Sequence, residues 1–333
     1  MAKIRVAING FGRIGRSAFK IAFEKKNLEI AAINDLTDSR TLAHLLKYDT
    51  AYGTYERSVS WDDGFLVVDK KKIPVLAERD PRRLPWRDMK IDAVLECTGA
   101  FVKDGAAKMH LQAGARRVII SAPTKGTGGI PTYLLGVNAD KYRKDEVISN
   151  ASCTTNSIGP VAVVIQKNFG IKKAMMTTIH SYTHDQNIQD GPHRDLRRAR
   201  AAAQNIVPTT TGAADSVIAA IPELEDKFDG LAVRVPTITG SLTDFTFLVD
   251  RPVSVEEVNG AFREAVQQPA YRGILAVTED PVVSSDIIGS PYSAIVDLAL
   301  TRVVDGDLVK VMAWYDNEWG YANRLVEQIK IVC

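Results

Sequence analysis

Three glycines stand between an apolar run and a helical stretch at the start of the chain, and this arrangement constrains the fold more than any other feature. Residues 4–8 are typical of a buried parallel strand, and Gly10, Gly12 and Gly15 lead from them into a helical stretch at residues 16–25. The first glycine permits a tight turn, the second lets the backbone approach a pyrophosphate, and the third allows close packing of helix on strand. The pattern predicts a dinucleotide site with the pyrophosphate at the helix N-terminus.

Asp35 supplies the acidic residue that such a site requires. It follows a second apolar run, residues 28–33, at a position where a carboxylate accepts hydrogen bonds from an adenosine ribose. A 2′-phosphate would meet the negative charge of Asp35, so the sequence predicts NAD rather than NADP. The nearest base, Arg40, would need a loop bend that the sequence does not show.

The remaining pattern predicts an α/β chain in two parts. Strand-like runs at residues 91–95 and 117–121 extend a doubly wound, Rossmann-type parallel sheet, and residues 58–78 are typical of an antiparallel hairpin excursion. After residue 150, long strands with few crossovers predict an α+β domain with a mainly antiparallel sheet. We therefore expect an NAD-binding domain at residues 1–151, joined by a C-terminal helix at 316–333, and a catalytic domain at 152–315.

Composition excludes several classes of protein. The chain of 333 residues carries a net charge of only +2, which implies neither nucleic-acid nor membrane binding. Its three cysteines are too few for a disulfide framework. Because the N-terminus shows no charged-then-apolar signal segment, the sequence predicts a cytoplasmic protein.

Cys153 lies in a polar run, residues 149–156, just before a helical segment at 157–169. A thiol at a helix N-terminus feels the positive end of the macrodipole, which favours the nucleophilic thiolate. The alternative is a buried structural cysteine, since free Cys packs like a small hydrophobic residue. The catalytic interpretation gains force only if a histidine lies nearby in the fold.

A long irregular stretch between His180 and Pro208 contains the candidate histidine and a cluster of arginines. His180 ends a strand, from which its side chain can reach a neighbouring site. His180 and His184 lack further residues at metal-ligand spacing, so we predict no metal site. The arginines suit a nucleic-acid patch, a solvated face or a phosphate site, and the charge balance disfavours the first. Downstream hydroxyls, a helix N-terminus at Gly212 and Arg234 favour a phosphate site.

With these residues in view, the chain resembles the phosphorylating glyceraldehyde-3-phosphate dehydrogenases of the bacterial and eukaryotic type over essentially its whole length. The motifs that carry the resemblance include residues 8–16, 43–49, 151–156, 180–183, 195–200, 211–214, 234–237 and 314–318.

The resemblance implies a covalent mechanism. Cys153 is expected to attack the aldehyde, with His180 as the base that takes its proton. The resulting hemithioacetal gives a hydride to NAD, and inorganic phosphate cleaves the thioester to an acyl phosphate. Glyceraldehyde 3-phosphate would thereby become 1,3-bisphosphoglycerate.

The resemblance also implies the binding residues and a homotetramer, in which the loop after His180 lines a neighbouring subunit's cofactor pocket. The expected cofactor contacts are Gly10, Phe11, Gly12, Arg13, Ile14, Gly15, Asp35, Arg79, Ser121 and Asn317. The substrate phosphate would be bordered by Thr183, Asp185, Arg198 and Arg234, and the attacking phosphate by Ser152, Thr154, Thr211, Gly212 and again Arg234.

Some positions depart from the commonest family pattern. Ser157 replaces a frequent Cys, and Gly191 stands where NAD-specific members often carry a bulkier apolar residue, although Leu36 and Pro192 match the NAD type. Two alternatives remain open. An erythrose-4-phosphate dehydrogenase shares the fold and nucleophile but usually differs after the catalytic histidine. A non-enzymatic NAD- or RNA-binding protein would be free to lose Cys153, His180 or Arg234, and all three are present.

Overall fold

The computed structural model describes residues 3–333, and contacts divide the chain into two compact units. The first comprises Met1–Tyr133, Lys141–Ala151 and Ala322–Cys333, and the second Leu134–Asp140 and Ser152–Tyr321. The predicted domain bounds differ from these units in two places, because residues 134–140 and 316–321 belong to the second unit. Leu134 and Val137 lie within contact distance of Gly159, which explains why the first of these segments groups with the second unit.

The first unit alternates strands and helices along most of its length. In chain order its elements are β1 (Ile4–Asn9), α1 (Arg13–Phe23), β2 (Leu28–Asn34), α2 (Ser39–Lys47), β3 (Tyr48–Asp49), β4 (Gly53–Thr54), β5 (Val59–Asp62), β6 (Phe65–Val68), β7 (Lys71–Leu76), β8 (Ala93–Glu96), α3 (Met109–Gln112), β9 (Arg117–Ile120) and β10 (Val147–Ser149).

An eight-stranded sheet in the order β10-β9-β8-β1-β2-β7-β6-β5 forms the centre of this unit. The strands from β10 to β7 run parallel, and β1 pairs with β2 on one side and β8 on the other. The predicted Rossmann-type sheet is confirmed. The hairpin excursion was only partly right, because β5 and β6 are antiparallel whereas β7 joins the parallel sheet by pairing with β2.

The second unit is built on a long helix and a second large sheet. Its elements are α4 (Cys153–Phe169), β11 (Lys173–Ser181), β12 (Val207–Thr209), α5 (Ala213–Ala220), β13 (Phe228–Val235), β14 (Ser241–Leu248), α6 (Val255–Ala265), β15 (Leu275–Thr278), β16 (Ala294–Asp297), β17 (Arg302–Val304), β18 (Leu308–Tyr315) and α7 (Trp319–Val332), of which α7 continues into the first unit.

This second sheet has the order β12-β13-β11-β14-β18-β16-β15, with β17 paired to β18. Most neighbouring strands are antiparallel, as predicted, but β11 with β13 and β15 with β16 are parallel. Helix α4 is buried along most of its length and packs against α5, α6 and the strands β14, β16 and β18. Because α4 packs against this sheet, the start of α4 is held in a fixed position relative to the ends of the strands.

Candidate active site

The glycine loop of the first unit has the conformation that its sequence predicts. Gly10 adopts a φ of +92°, and a Cβ there would lie 2.8 Å from the backbone nitrogen of Thr98. A Cβ on Gly15 would lie 2.1 Å from the carbonyl oxygen of Gly10, so only glycine allows α1 to start this close to β1. Gly12 caps α1 and faces open space.

Asp35 is tied to this loop. Its Oδ2 accepts a hydrogen bond from the backbone nitrogen of Phe11 at 2.7 Å, and its Oδ1 accepts one from Thr37 at 2.9 Å. Because a carboxylate oxygen has two lone pairs, each oxygen retains acceptor capacity for a hydroxyl. Asp35 therefore holds the turn in shape in addition to presenting a negative charge.

A cavity of about 550 Å³ opens at the carboxyl ends of β1, β2 and β8. The residues present fit an NAD dinucleotide, because a Cβ-free turn, an uncapped helix start and a carboxylate line one cleft. We call this cavity the dinucleotide cleft. Its lining residues are Asn9, Gly10, Gly12, Asn34, Asp35, Leu36, Glu78, Arg79, Cys97, Thr98, Ala100 and Phe101.

Several predicted cofactor residues lie beside the cleft rather than in its wall. The side chain of Phe11 is buried in the core against Phe19, so Phe11 offers the cleft no side chain. Arg13 pairs with Asp49 at 2.7 Å, and Ile14 follows it in the first turn of α1. Ser121 follows β9 and donates its backbone nitrogen to the carbonyl of Glu96.

In the second unit, Cys153 is the first residue of α4. The helix begins there because Ser152 caps it, its Oγ accepting a hydrogen bond from the Thr155 nitrogen at 3.1 Å. The Cys153 side chain is partly buried, while Thr154 and Thr155 are fully buried.

His180 lies beside this thiol. Its Nε2 is 3.5 Å from Cys153 Sγ, and its Nδ1 is 2.6 Å from the carbonyl oxygen of Ser181. A carbonyl only accepts, so Nδ1 carries the proton and Nε2 presents its lone pair to the thiol. The pair has the geometry of a nucleophile and its general base.

Burial determines the protonation of this pair. Desolvation raises the pKa of the Cys153 thiol, although Thr154 and Arg234 act in the opposite direction. Burial, and then the positive charge of Arg234, lowers the pKa of His180 to about 3. Both shifts favour a neutral thiol beside a neutral imidazole in the free chain. Burial therefore opposes the effect of the helix N-terminus, which by itself favours the thiolate.

A third group, Tyr315, lies behind the thiol. Its hydroxyl is 3.0 Å from Thr154 Oγ1 and 2.8 Å from Thr178 Oγ1, and all three residues are buried. Its ring meets that of His180 edge to face, with centroids 6.1 Å apart. Tyr315 was not among the predicted site residues, although a polar tip on an inward-facing position of β18 was a usable signal.

Arg234 is the cation of this site that lacks a carboxylate partner. Its Nη1 donates to Thr183 Oγ1 at 2.9 Å, and its Nε is buried without a hydrogen bond among the described residues. Burial lowers the pKa of Arg234. A partly buried guanidinium without a carboxylate partner is suited to binding an anion.

Arg198 is held differently. It pairs with Asp185, and its Nε donates to Thr209 Oγ1 at 2.9 Å. Its Nη2 donates to the carbonyl of Thr210 at 3.0 Å. The predicted substrate-phosphate residues thus form two linked pairs, Arg234 with Thr183 and Arg198 with Asp185.

The residues predicted for the attacking phosphate lie at two helix starts. Ser152 and Thr154 open α4, but the first hydroxyl caps the helix and the second bonds to Tyr315. Thr211 and Gly212 precede α5, which has no side-chain cap, and Thr211 Oγ1 accepts from the Ala213 nitrogen at 3.2 Å.

Asn317 is fixed by two hydroxyl groups that the sequence analysis did not identify. Its Oδ1 accepts hydrogen bonds from Ser241 Oγ at 2.8 Å and Thr239 Oγ1 at 3.2 Å. The side-chain amide is thereby held in one orientation. Its Nδ2 donates to no described residue, so it is available to a carboxamide oxygen such as that of nicotinamide.

Comparison with known proteins agrees with this geometry. A profile described as "Glyceraldehyde 3-phosphate dehydrogenase, NAD binding domain" matches residues 4–104, and one described as its "C-terminal domain" matches residues 152–317. The chain belongs to the glyceraldehyde 3-phosphate dehydrogenase family. Members of this family use NAD, and the match confirms the predicted cofactor and oxidoreductase class.

Three glyceraldehyde-3-phosphate dehydrogenases illustrate the similarity. The Streptomyces coelicolor protein is 52% identical over 97% of both chains. The Geobacillus stearothermophilus protein is 52% identical over 97% of this chain and 96% of its own. The Thermotoga maritima protein is 52% identical over 98% of both chains. These comparisons lend no support to an erythrose-4-phosphate dehydrogenase or to a non-enzymatic protein.

Proposed function

We propose that the chain oxidises glyceraldehyde 3-phosphate with NAD and inorganic phosphate to 1,3-bisphosphoglycerate, through a thioester on Cys153. The observation that carries this proposal is the 3.5 Å approach of His180 Nε2 to Cys153 Sγ beside the unneutralised Arg234. A neutral imidazole takes the thiol proton as sulfur bonds to the aldehyde carbon, so the hemithioacetal forms without a resting thiolate.

His180 then holds the proton taken from the thiol and stabilises the charge that develops on the substrate oxygen. Once protonated at Nε2, His180 stabilises the negative charge on the hemithioacetal oxygen. With that oxygen deprotonated, the carbon can release a hydride. NAD accepts that hydride when bound. Phosphate oxygen then attacks the thioester carbonyl, the carbon–sulfur bond breaks, and the thiol regains a proton.

Two phosphate groups need two cationic subsites in this reaction. Arg234 with Thr183 is one candidate and Arg198 with Asp185 is the other, while the uncapped start of α5 at Gly212 offers backbone nitrogens. For the cofactor, we propose that the dinucleotide cleft holds the adenosine and pyrophosphate and that Asn317 holds the nicotinamide carboxamide.

The test is a steady-state assay of NADH formation with and without inorganic phosphate, on glyceraldehyde 3-phosphate and on erythrose 4-phosphate. We expect sustained turnover only with the triose and phosphate, and an acyl phosphate product. Cys333→Ser serves as the matched control for Cys153→Ser, since Cys333 is exposed at the chain end. A higher kcat/KM for the tetrose would refute the proposed substrate.

We further propose that the chain works as a homotetramer. Large apolar side chains protrude from the loop between β11 and β12, with Ile188 85% and Leu196 81% exposed. Such side chains favour burial against another subunit. Sedimentation velocity should give a species of four chains, and Leu196→Asp should weaken it. A monomer at micromolar concentration would contradict this proposal.

A cytoplasmic location is also proposed, because Cys97, Cys153 and Cys333 are all free thiols. Among the described residues, no helix combines the length and apolar character needed to cross a membrane. Fractionation of the source cells would test the location.

A further inference from the structure

A continuous chain of hydrogen bonds, buried except at its Glu78 end, crosses the carboxyl ends of the parallel strands in the first unit. It runs along the dinucleotide cleft, whose wall includes its members Asn9, Asn34 and Glu78, and connects groups that follow or end four neighbouring strands, β8, β1, β2 and β7. We call it the strand-end chain, and its members in order are Trp86, His110, Glu96, Asn9, Asn34 and Glu78.

Glu96 is the centre of the strand-end chain. It is 1% exposed, and its Oε2 accepts from Asn9 Nδ2 at 2.5 Å and His110 Nε2 at 2.9 Å. Its Oε1 accepts from the nitrogen and the hydroxyl of Thr98. The indole of Trp86 donates to His110 Nδ1 at 2.9 Å, which places the histidine proton on Nε2, towards Glu96. Four donors on two oxygens require an acceptor-only group at this position.

Asn34 makes the next link. Its Nδ2 donates to Asn9 Oδ1 at 2.6 Å and to the Glu78 carbonyl at 2.9 Å, and its Oδ1 accepts from the Glu78 nitrogen at 2.9 Å. The donor and acceptor ends of this amide are thus fixed, as are those of Asn9. The ends of β1 and β2 cannot shift against each other without breaking a buried hydrogen bond.

The position of these links in the sequence connects them to the cofactor. Four residues that line the dinucleotide cleft each follow a member of the strand-end chain directly: Gly10 follows Asn9, Asp35 follows Asn34, Arg79 follows Glu78 and Cys97 follows Glu96. No such chain is needed merely to fill a core, where apolar residues are often at least as stabilising.

We propose that the strand-end chain positions the walls of the dinucleotide cleft and thereby sets the affinity for NAD, with Glu96 as its key positioning residue. The proposal rests on the proposed role of the cleft. The strand-end chain carries no reacting group. We therefore expect it to act on NAD binding and to leave the thiol chemistry of Cys153 unchanged.

The test is Glu96→Gln in the full-length protein. The new amide nitrogen cannot accept, so one pair of donors loses its partner and the loop ends separate. We expect the NAD dissociation constant and KM to rise roughly tenfold, with kcat at saturating NAD and the NAD-free alkylation rate of Cys153 unchanged. A folded Glu96→Gln protein with unchanged NAD affinity would overturn the proposal.

Asp92→Asn is the matched control, because Asp92 precedes the opposite end of β8 and accepts from the Arg5 nitrogen at 2.9 Å. It should affect stability without changing NAD affinity. If Glu96→Gln fails to fold, Trp86→Phe decides, because it removes the hydrogen bond donated to His110 Nδ1 and should still weaken NAD binding. Asp35→Asn separates the two hypotheses. If it weakens NAD binding and neither Glu96→Gln nor Trp86→Phe does, only the strand-end chain is wrong; if none does, the cleft assignment fails as well.

Discussion

Removing the Tyr315 hydroxyl is a direct test of how the second unit holds its nucleophile. In Tyr315→Phe the ring remains and only one oxygen is lost. That oxygen joins Thr154, which follows Cys153 at the start of α4, to Thr178 in β11, two residues before His180. The hydroxyl therefore links the elements that carry the nucleophile and the base.

The expected loss of unfolding free energy depends on which hydrogen-bond partners Thr178 and Thr154 retain in Tyr315→Phe. Thr178 is completely buried and loses its side-chain partner, while Thr154 keeps only the Cys153 sulfur at 3.9 Å. An unsatisfied buried hydroxyl costs about 1–3 kcal/mol. Tyr315→Phe should therefore reduce the unfolding free energy of the chain by about 2–4 kcal/mol.

A double-mutant cycle with Thr178→Val measures the link, because replacing both partners by apolar groups removes the unsatisfied hydroxyl. Urea unfolding should give a coupling of about 1–2 kcal/mol, and the double variant should lose less than the sum of the single variants. Tyr133→Phe is the control, since its hydroxyl bonds to Asp145 in the first unit. Additive single losses, within about 0.5 kcal/mol, would refute this account of the site.

The remaining predictions concern the thiol, the base and the cofactor. Cys153→Ser should abolish turnover while keeping NAD binding. Alkylation should label Cys153 before Cys97, because Cys153 has the base His180 beside it whereas burial raises the pKa of Cys97; mass spectrometry would contradict this by finding Cys97 labelled first. His180→Asn should lower kcat on the order of 100-fold. Burial and Arg234 lower the pKa of His180 to about 3. Below a pH of about 6.5 the His180 imidazole therefore binds a proton in the unfolded chain but stays neutral in the folded chain. Between about pH 7 and pH 4.5, the unfolding free energy of the parent should therefore fall by about 3 kcal/mol more than that of His180→Asn. Equal losses in urea titrations would contradict the lowered pKa of His180. Asp35→Gly should erode the NAD preference mainly by weakening NAD, and equal kcat/KM for NAD and NADP in the parent would refute that preference.

The parts of the molecule that local sequence rules govern were the predictable ones. The glycine loop follows from steric limits at Gly10 and Gly15, which a short stretch of sequence expresses completely. The pairing of β7 with β2 was missed because it joins residues far apart in the chain, and a hairpin pattern does not reveal its outer partner. The clustering of His180 with Cys153 came from a family resemblance, since spacing alone does not bring separate elements together.

The Cys153 thiol shows where a local rule stops. A helix N-terminus contributes roughly 0.3–1 kcal/mol to a nearby anion when exposed, and that contribution is visible in the sequence. Desolvation depends on how much of the protein covers the thiol, and here Thr154 and the ring of His180 lie against it, with Tyr315 packed on both. Since one pKa unit corresponds to about 1.4 kcal/mol, even modest burial outweighs the helix. His180 therefore matters as the acceptor of the thiol proton when the aldehyde arrives.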